Sequence, residues 1–506
     1  MFRTLGLVLP RTAVRAARVP LGRRCGAAFA ARADGVEVLR DGLDDAEPAY
    51  ALQARRDRAA QLAVGTQHLP DEYGRRMMVY LRDVSRKRLA RDASRIAYRM
   101  RERTNSRQHL EATMRRDEDF KQLMLSRDKR QDADGDGAVA AADERIRWIE
   151  PEVGAYVASR LPSIYGAVYR VLNEVARRLP DLRIRAMLDY GSGPGTAIWA
   201  ASELWHLSSV TAVEASPAMR EAGAFFVRGI GGLDDVLWLP GIEDPGRDLF
   251  AARQDLVTCS YVLSEQRSDS GRAALVRKLW NMTADVLVII EPGTPKGFLN
   301  VAAARQLILD ENAGEVHVVA PCPHDGVCPL VGSKSWCHFV QRSYRPATQR
   351  AVKKSARLDY EDEKFSFVVL RRGPSPRTTG VIAEQPIPAG DVPSASVAAD
   401  SDGDDDVSDA ADGPDDEGDE AEDNRMRAED AVASFSWARM IRRPLLKTRH
   451  VIVDVCTPAG DVRRQTIGKA SGRDAGYRHA RTASWGDLWQ YWDRKKGTGR
   501  TRKAAK

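Results

Sequence analysis

A run of about 18 apolar residues, the length a membrane-spanning helix needs, is missing from this sequence. The most apolar strand candidate, Val286 to Ile290, is broken at once by Glu291 and Pro292, so no membrane span is expected. Acidic residues are missing from the first 33 positions, which instead hold Arg3, Arg11, Arg15, Arg18, Arg23, Arg24 and Arg32 among apolar residues. These arginines interrupt the compact apolar core of a secretory signal, whereas a basic amphipathic start is the pattern of a mitochondrial transit peptide. Residues 1–33 are therefore expected to direct import to the mitochondrial matrix, an ordinary basic start being the alternative. Lysine and arginine are missing from Asp400 to Asp423, where fourteen carboxylates gather.

That acidic segment hides how basic the rest is. The chain carries a formal +7, and without those residues it would carry +21. Such a charge favours a polyanionic partner, RNA above all, against the plainer reading of solubility. With 506 residues and 43% hydrophobic content, the chain can bury a large core divided among several domains.

Residues 34–150 read as an Arg-rich helical region, with basic and apolar residues mixed at helical spacing in Arg75 to Arg82 and Arg86 to Arg91. A second helical stretch, Ala155 to Arg178, should kink at Pro162. Short apolar runs then alternate with helical patterns. Strands are expected at Ala186–Asp189, Val210–Glu214, Val236–Leu239, Leu256–Ser260, Val286–Ile290, Glu315–Val319 and Phe365–Leu370, with helices at Thr196–Leu207, Pro217–Arg228 and Ser270–Met282. This alternation implies an α/β domain with a doubly wound, mainly parallel sheet over residues 151–372. Residues 373–424 read as a disordered acidic insertion. A C-terminal segment, 425–493, resumes order with a strand at His450–Val455 and an aromatic cluster of Trp485, Trp489, Tyr491 and Trp492. Residues 494–506 form a basic tail with seven cations and no acid.

The sharpest local signal is Leu188-Asp189-Tyr190-Gly191-Ser192-Gly193-Pro194-Gly195-Thr196, placed between a strand and a helix. Glycines there let the backbone turn tightly and approach a ligand. Glu214 follows at the end of the next strand, where a carboxylate can accept both ribose hydroxyls of an adenosine-containing ligand. Asp244 is a weaker candidate for the adenine side. The Gly-x-Gly-x-Gly spacing with its preceding Asp is similar to the first motif of class I methyltransferases, more than to the dinucleotide fingerprint. A turn that merely packs strand against helix is the structural alternative.

Whether such a pocket catalyses is a separate question. An Asn/Asp-Pro-Pro-aromatic run, which orients a target nitrogen, is absent after the fourth strand, where Thr258-Cys259-Ser260-Tyr261-Val262-Leu263-Ser264-Glu265 stands instead. Cys259 has no adjacent Pro-Cys motif or nearby His to activate it, so a core role is expected rather than nucleophilic attack.

Of the six cysteines, Cys25 lies in the presequence and Cys259 on a strand. Cys322, Cys328 and Cys337 form Cys-x5-Cys-x8-Cys, and Cys456 arrives from beyond the acidic insertion. An iron–sulfur cluster, zinc aided by His324 or His338, and free structural thiols all remain open from spacing alone.

These segments together resemble the mitochondrial methyltransferase-like protein 17 family. The matching pieces are Tyr156 to Pro162, Asp189 to Thr196, Glu291 to Pro295, the Pro321-Cys322-Pro323-His324 loop and Trp485 to Trp489. The resemblance implies a class I methyltransferase-like fold with a C-terminal, cysteine-ligated extension. It implies a [4Fe-4S] cluster on Cys322, Cys328, Cys337 and Cys456. It also implies a role in assembling the mitochondrial small ribosomal subunit, by binding its rRNA and ribosomal proteins, mainly without methyl transfer. The cofactor-type pocket, on Asp189, Gly191, Gly193, Gly195, Glu214 and Asp244, is expected to suit S-adenosyl-L-methionine. The competing expectations are an active rRNA methyltransferase and a redox-responsive regulator. Arg442, Arg443, Lys447 and Arg449 are candidate phosphate contacts.

Overall fold

The computed structural model describes residues 49–104, 150–230, 236–242, 253–353, 358–377, 425–469 and 475–492. The presequence, most of the acidic insertion, the basic tail, Cys25 and Asp244 lie outside them.

Eight strands form the main sheet: β1 (Ala186–Tyr190), β2 (Ser209–Val213), β3 (Leu237–Leu239), β4 (Gln254–Ser260), β5 (Thr283–Pro292), β6 (Val316–Ala320), β7 (Phe339–Tyr344) and β8 (Tyr360–Arg372). Their order is β3-β2-β1-β4-β5-β8-β6, with β7 paired to β8. The first five run parallel, while β8 inserts antiparallel between β5 and β6. This is a class I methyltransferase-like sheet. The strand order reverses between β1 and β4, and in open α/β sheets ligands bind beyond the strand C-termini at such a point.

Two strands outrun their expected bounds by five residues or more. β5 spans ten residues and β8 thirteen. Only the buried half of β8, Phe365 onward, has an apolar pattern. Its charged half, Tyr360 to Lys364, is strand because it pairs with β7, where the cross-strand Arg342–Asp362 ion pair spans 2.9 Å. No apolar alternation announces a segment held this way.

Helices cover both faces of the sheet. The stretch expected as one kinked helix is two: α4 (Glu150–Ser159) and α5 (Leu161–Arg178), broken at Arg160, with Pro162 in the first turn of α5. A proline in the first turn loses no helical hydrogen bond, so a break costs less here than a kink. N-terminal to these lie α1 (Ala49–Ala60), α2 (Asp71–Leu81) and α3 (Arg86–Thr104). Then come α6 (Thr196–Ser202), α7 (Pro217–Val227), α8 (Asp269–Asn281), α9 (Pro295–Glu311) and α10 (Ala347–Val352). Ser216, Ser268 and Thr294 each cap a helix by accepting a backbone N–H three residues on. The helix expected to reach Leu207 ends at Ser202.

A second, five-stranded sheet follows, with α11 (Ala428–Ala433) leading in. Its strands are β9 (Ala438–Met440), β10 (Leu445–Leu446), β11 (His450–Cys456), β12 (Val462–Gly468) and β13 (Leu488–Trp489), and α12 (Ala475–Thr482) packs against it. Its core is Met440, Val451, Val453, Val455, Trp489 and Tyr491. Trp485 leaves the expected aromatic cluster and lies edge-on to His338, 4.7 Å between ring centres.

Asp487 ties this sheet to the start of the described chain. Its Oδ1 accepts the Leu62 and Ala63 N–H groups at 2.8 and 3.0 Å, and its Oδ2 accepts that of Ser484 at 2.7 Å. Residues 373–377, expected within the insertion, are described, and Arg377 bonds back into the main domain. Among the described residues no helix is long and apolar enough to cross a membrane.

Candidate cofactor cleft and thiol cavity

The glycine loop leaves β1 at the reversal of strand order and enters α6. Gly191, Gly193 and Gly195 all hold positive φ, 76°, 50° and 78°, a region in which any Cβ is strained. At Gly191 a Cβ would also collide with Val262, whereas at Gly193 it would meet nothing within 4 Å. The loop therefore opens to free space at its middle glycine, which suits a ligand cradle.

Beneath the loop Asp189 is buried. Thr258 Oγ1 donates to its Oδ1 at 2.6 Å, and Oδ2 has no partner. Burial, and secondarily the nearby Glu214, push its carboxyl up to about 7. Glu214, just past β2, accepts Gly193 N–H at 3.0 Å and Ser216 N–H at 2.8 Å. Burial raises its carboxyl too. Both acids thus stand where the sequence places them. Tyr73 of α2 packs against the loop: it stacks on Trp199 at 4.5 Å and donates to Pro194 O at 3.3 Å.

The segment after β4 is committed internally. Leu263 and Ser264 N–H donate to Glu291 at the end of β5, at 2.8 and 3.1 Å, and Ser264 Oγ donates to the same carboxylate. Burial pushes Glu291 up to about 7. Tyr261, at φ 63°, donates to Glu363, which also pairs with Arg160 at 2.8 Å. Cys259 is fully buried in β4.

The second site lies where the two sheets meet. Cys322, Cys328, Cys337 and Cys456 line one cavity with Arg305, Arg439, Phe298, Phe367 and Ile441. The three-cysteine loop leaves β6 and is clamped from two sides. Arg377 donates to both Asp325 oxygens and to the Val318 and Cys322 carbonyls, at 3.1 to 3.2 Å. Arg305 donates to His324 O at 2.7 Å. Cys456 closes β11, registered opposite Arg439 of β9. Burial first, then the neighbouring thiols, push Cys337 and Cys456 far above the usual thiol range.

Four thiolates on one zinc ion, each bonded at about 2.3 Å, would stand roughly 3.8 Å apart. Among the described residues no three His, Cys, Asp or Glu side chains are gathered around a single-ion position. His324 Nε2 lies 3.6 Å from Cys456 Sγ, its Nδ1 has no partner, and burial depresses its ring to about 4. His338 is instead drawn into the stack with Trp336 and Trp485.

Arg305, Arg377 and Arg439 are the site residues that sequence reasoning missed. An arginine on an amphipathic helix or short strand carries no local sign that it is buried. Of the phosphate candidates, Arg442 donates to Ser335 Oγ at 2.9 Å and stands 3.5 Å from Asp454, while Arg443, Lys447 and Arg449 are exposed.

A family model described as mitochondrial small ribosomal subunit Rsm22 matches residues 150–490, more than half of the chain. The human protein named "Ribosome assembly protein METTL17, mitochondrial" is 29% identical over 348 residues, which is 66% of this chain and 61% of that one. The Schizosaccharomyces pombe "Rsm22-cox11 tandem protein 2, mitochondrial" is 26% identical over 69% of this chain and 44% of its own length. The match thus spans about six-tenths of the human relative and under half of the yeast one. Among solved structures, magnesium protoporphyrin IX methyltransferase from Synechocystis PCC 6803 is 15% identical and covers 47% of this chain and all of that one, at a TM-score of 0.26. With superposition that loose, the fold assignment rests on strand order instead. On the extent of the family match, the chain belongs to the mitochondrial small ribosomal subunit Rsm22 family.

Proposed function

We propose that this chain works in the mitochondrial matrix as an assembly factor of the small ribosomal subunit, binding rRNA and ribosomal proteins, with a [4Fe-4S] cluster on Cys322, Cys328, Cys337 and Cys456. The observation that carries the reading is the convergence of four thiols, from both sides of the acidic insertion, on one cavity between the sheets. Four cysteine thiolates are the ligand set that such a cluster takes. When bound, the cluster supplies covalent ties between the main domain and β11, so metal binding contributes folding free energy. The family match and the human relative's name support the assembly role.

The cleft is read as a site for an S-adenosylmethionine-type ligand on Gly191, Gly193, Gly195 and Glu214, with Asp189 supporting the loop and Asp244 on the adenine side. Such a ligand supplies a transferable methyl group. Tyr261 and Ser264, beside it, are occupied with Glu363 and Glu291, which favours a scaffold over a methyl-transfer enzyme. The enzyme reading rests on the open cradle at Gly193. Changing Gly193→Arg and mapping rRNA methylation separates the two: a lost modification supports the enzyme, and intact methylation with stalled subunit assembly supports the scaffold.

The exposed Arg443, Lys447 and Arg449, beside β10, are assigned to phosphate contact. Replacing Arg443 and Lys447 by Ala should lower the slope of log affinity against log salt by about 1 per residue, with an unchanged melting temperature.

The cluster is tested by anaerobic purification, iron and sulfide analysis and an absorption spectrum, all of which should be lost in Cys328→Ser. A chain that contains no iron and still binds small-subunit rRNA normally would sink the reading.

A further inference from the structure

The lining of the thiol cavity contains two cations and no carboxylate. Arg305 of α9 is 2% exposed and Arg439 of β9 is 1% exposed. Among the described residues Arg305 makes no ion pair: beyond the His324 carbonyl it reaches only Gln306 Oε1, at 3.5 Å, and its Nε has no partner. Arg439 spends Nη2 on both oxygens of Glu174 in α5, each at 2.7 Å, and leaves Nε and Nη1 without partners. Glu174 is itself shared, because Arg178, 2% exposed, stands 3.7 Å away on the same helix. The nearby Arg377 is balanced by Asp325 at 3.1 Å.

The local count is therefore four buried guanidinium groups, Arg170, Arg178, Arg305 and Arg439, against the two buried carboxylates of Glu174 and Asp487, a surplus of two positive charges. Buried charges left without a partner are strongly unfavourable. Neutral thiols would balance none of this surplus. Four thiolates on an iron–sulfur core of charge +2 carry −2, which cancels it.

We infer that Arg305 and Arg439 are the charge partners of the centre held by the four cysteines, each donating its unpartnered N–H groups to sulfur. This rests on the cluster reading given above. Hydrogen bonds and nearby charge at the sulfurs are among the determinants of such a centre's potential, so both arginines favour its more reduced, more negative state. Arg439 adds a mechanical link, since its remaining nitrogen holds Glu174 in the main domain. They are positioning residues that act through the centre.

The test uses the full chain purified without air, as wild type, Arg305→Met, Arg305→Lys and Arg439→Lys. Iron and sulfide content and midpoint potential are measured for each. Arg305→Met, which keeps bulk and removes charge, should shift the redox equilibrium at least tenfold toward the oxidised form, about 59 mV for one electron. Arg305→Lys and Arg439→Lys, which keep the charge, should stay near wild type in potential. Should Met and Lys at position 305 shift the potential equally, or lose iron equally, position 305 acts by packing and the inference is overturned. Wild type at full iron content with an unmoved potential in Arg305→Met overturns it while leaving the cluster reading intact. Wild type without iron removes the cluster reading itself.

Discussion

The glycine-loop cleft and the thiol cavity solve the problem of buried polar groups in opposite ways. In the cleft, Glu214 has its oxygens met by Gly193 and Ser216 N–H groups, and Glu291 is met by Leu263 and Ser264. These two acids are satisfied by nearby backbone, and the unpartnered atoms there are neutral or single oxygens, Thr196 Oγ1 and Asp189 Oδ2. In the cavity, the Nε atoms of Arg305 and Arg439 and the Nδ1 of His324 have no partner, and the lining comes from α9, the loop after β6, β9 and β11. A site whose acids are met by nearby backbone can keep its shape without a ligand. A site with open donors at the seam between two sheets ties the fold to whatever fills it.

The largest expected effect breaks that seam. Cys456→Ser should abolish iron binding and loosen the second sheet, so limited proteolysis should cut within residues 425–492 while the main domain survives; equal resistance to wild type would show the seam is held by packing alone. Next, Glu174→Ala strands Arg439 and Arg178 together, and removing one partner of a buried pair costs about 3–5 kcal/mol, read as a drop in chemical-denaturation stability. A loss under 1 kcal/mol would mean that the guanidinium groups find other partners.

Within the cleft the effects should be smaller. Asp189 has a carboxyl raised from an ordinary value near 4 to about 7. The folded state therefore binds a proton that the unfolded state releases, so this group's stabilisation is present below pH 4 and is lost as pH rises from 4 to 7. About 4 kcal/mol is at stake, and Asp189→Asn should flatten the melting-temperature profile across that window. A wild-type profile already flat there would mean the carboxyl is ionised when folded. The smallest stability change belongs to Gly193→Arg: the side chain enters open space, and only the positive φ is penalised, by about 1 kcal/mol. Adenosine-ligand binding should nevertheless vanish, which equilibrium dialysis would read directly. A mutant that melts far below wild type would show that the loop is packed after all.

The cleft was legible because its parts lie close in sequence: strand, glycines, helix and acid fall between Asp189 and Glu214 in the order in which they meet. The same holds for the three-cysteine loop, and β11 was visible as an alternating run. The second sheet was mostly hidden. β9 and β13 are too short to show a period, and β12, Val462 to Gly468, is largely polar because it lies at an edge, held by a seven-residue register with β11. Arg160 interrupts what reads as one helix, and only the position of Pro162 hints at it. The buried arginines were invisible because their partners sit on other elements: Glu174 lies 265 positions from Arg439. Charge balance inside a fold is a property of contacts, and local pattern does not carry it.

The double acceptance at Asp487 has a consequence for order of events. Its carboxylate closes the turn after α1, more than 420 residues earlier, so that turn cannot gain its final acceptor until residue 487 has been made. A chain emerging N-terminus first, whether from a ribosome or a translocation pore, would carry the Leu62 and Ala63 N–H groups without this acceptor until Asp487 follows, although Arg177 meets the Gln61 carbonyl much sooner. Shortening the protein from its C-terminal end past Asp487 would therefore be felt at its beginning.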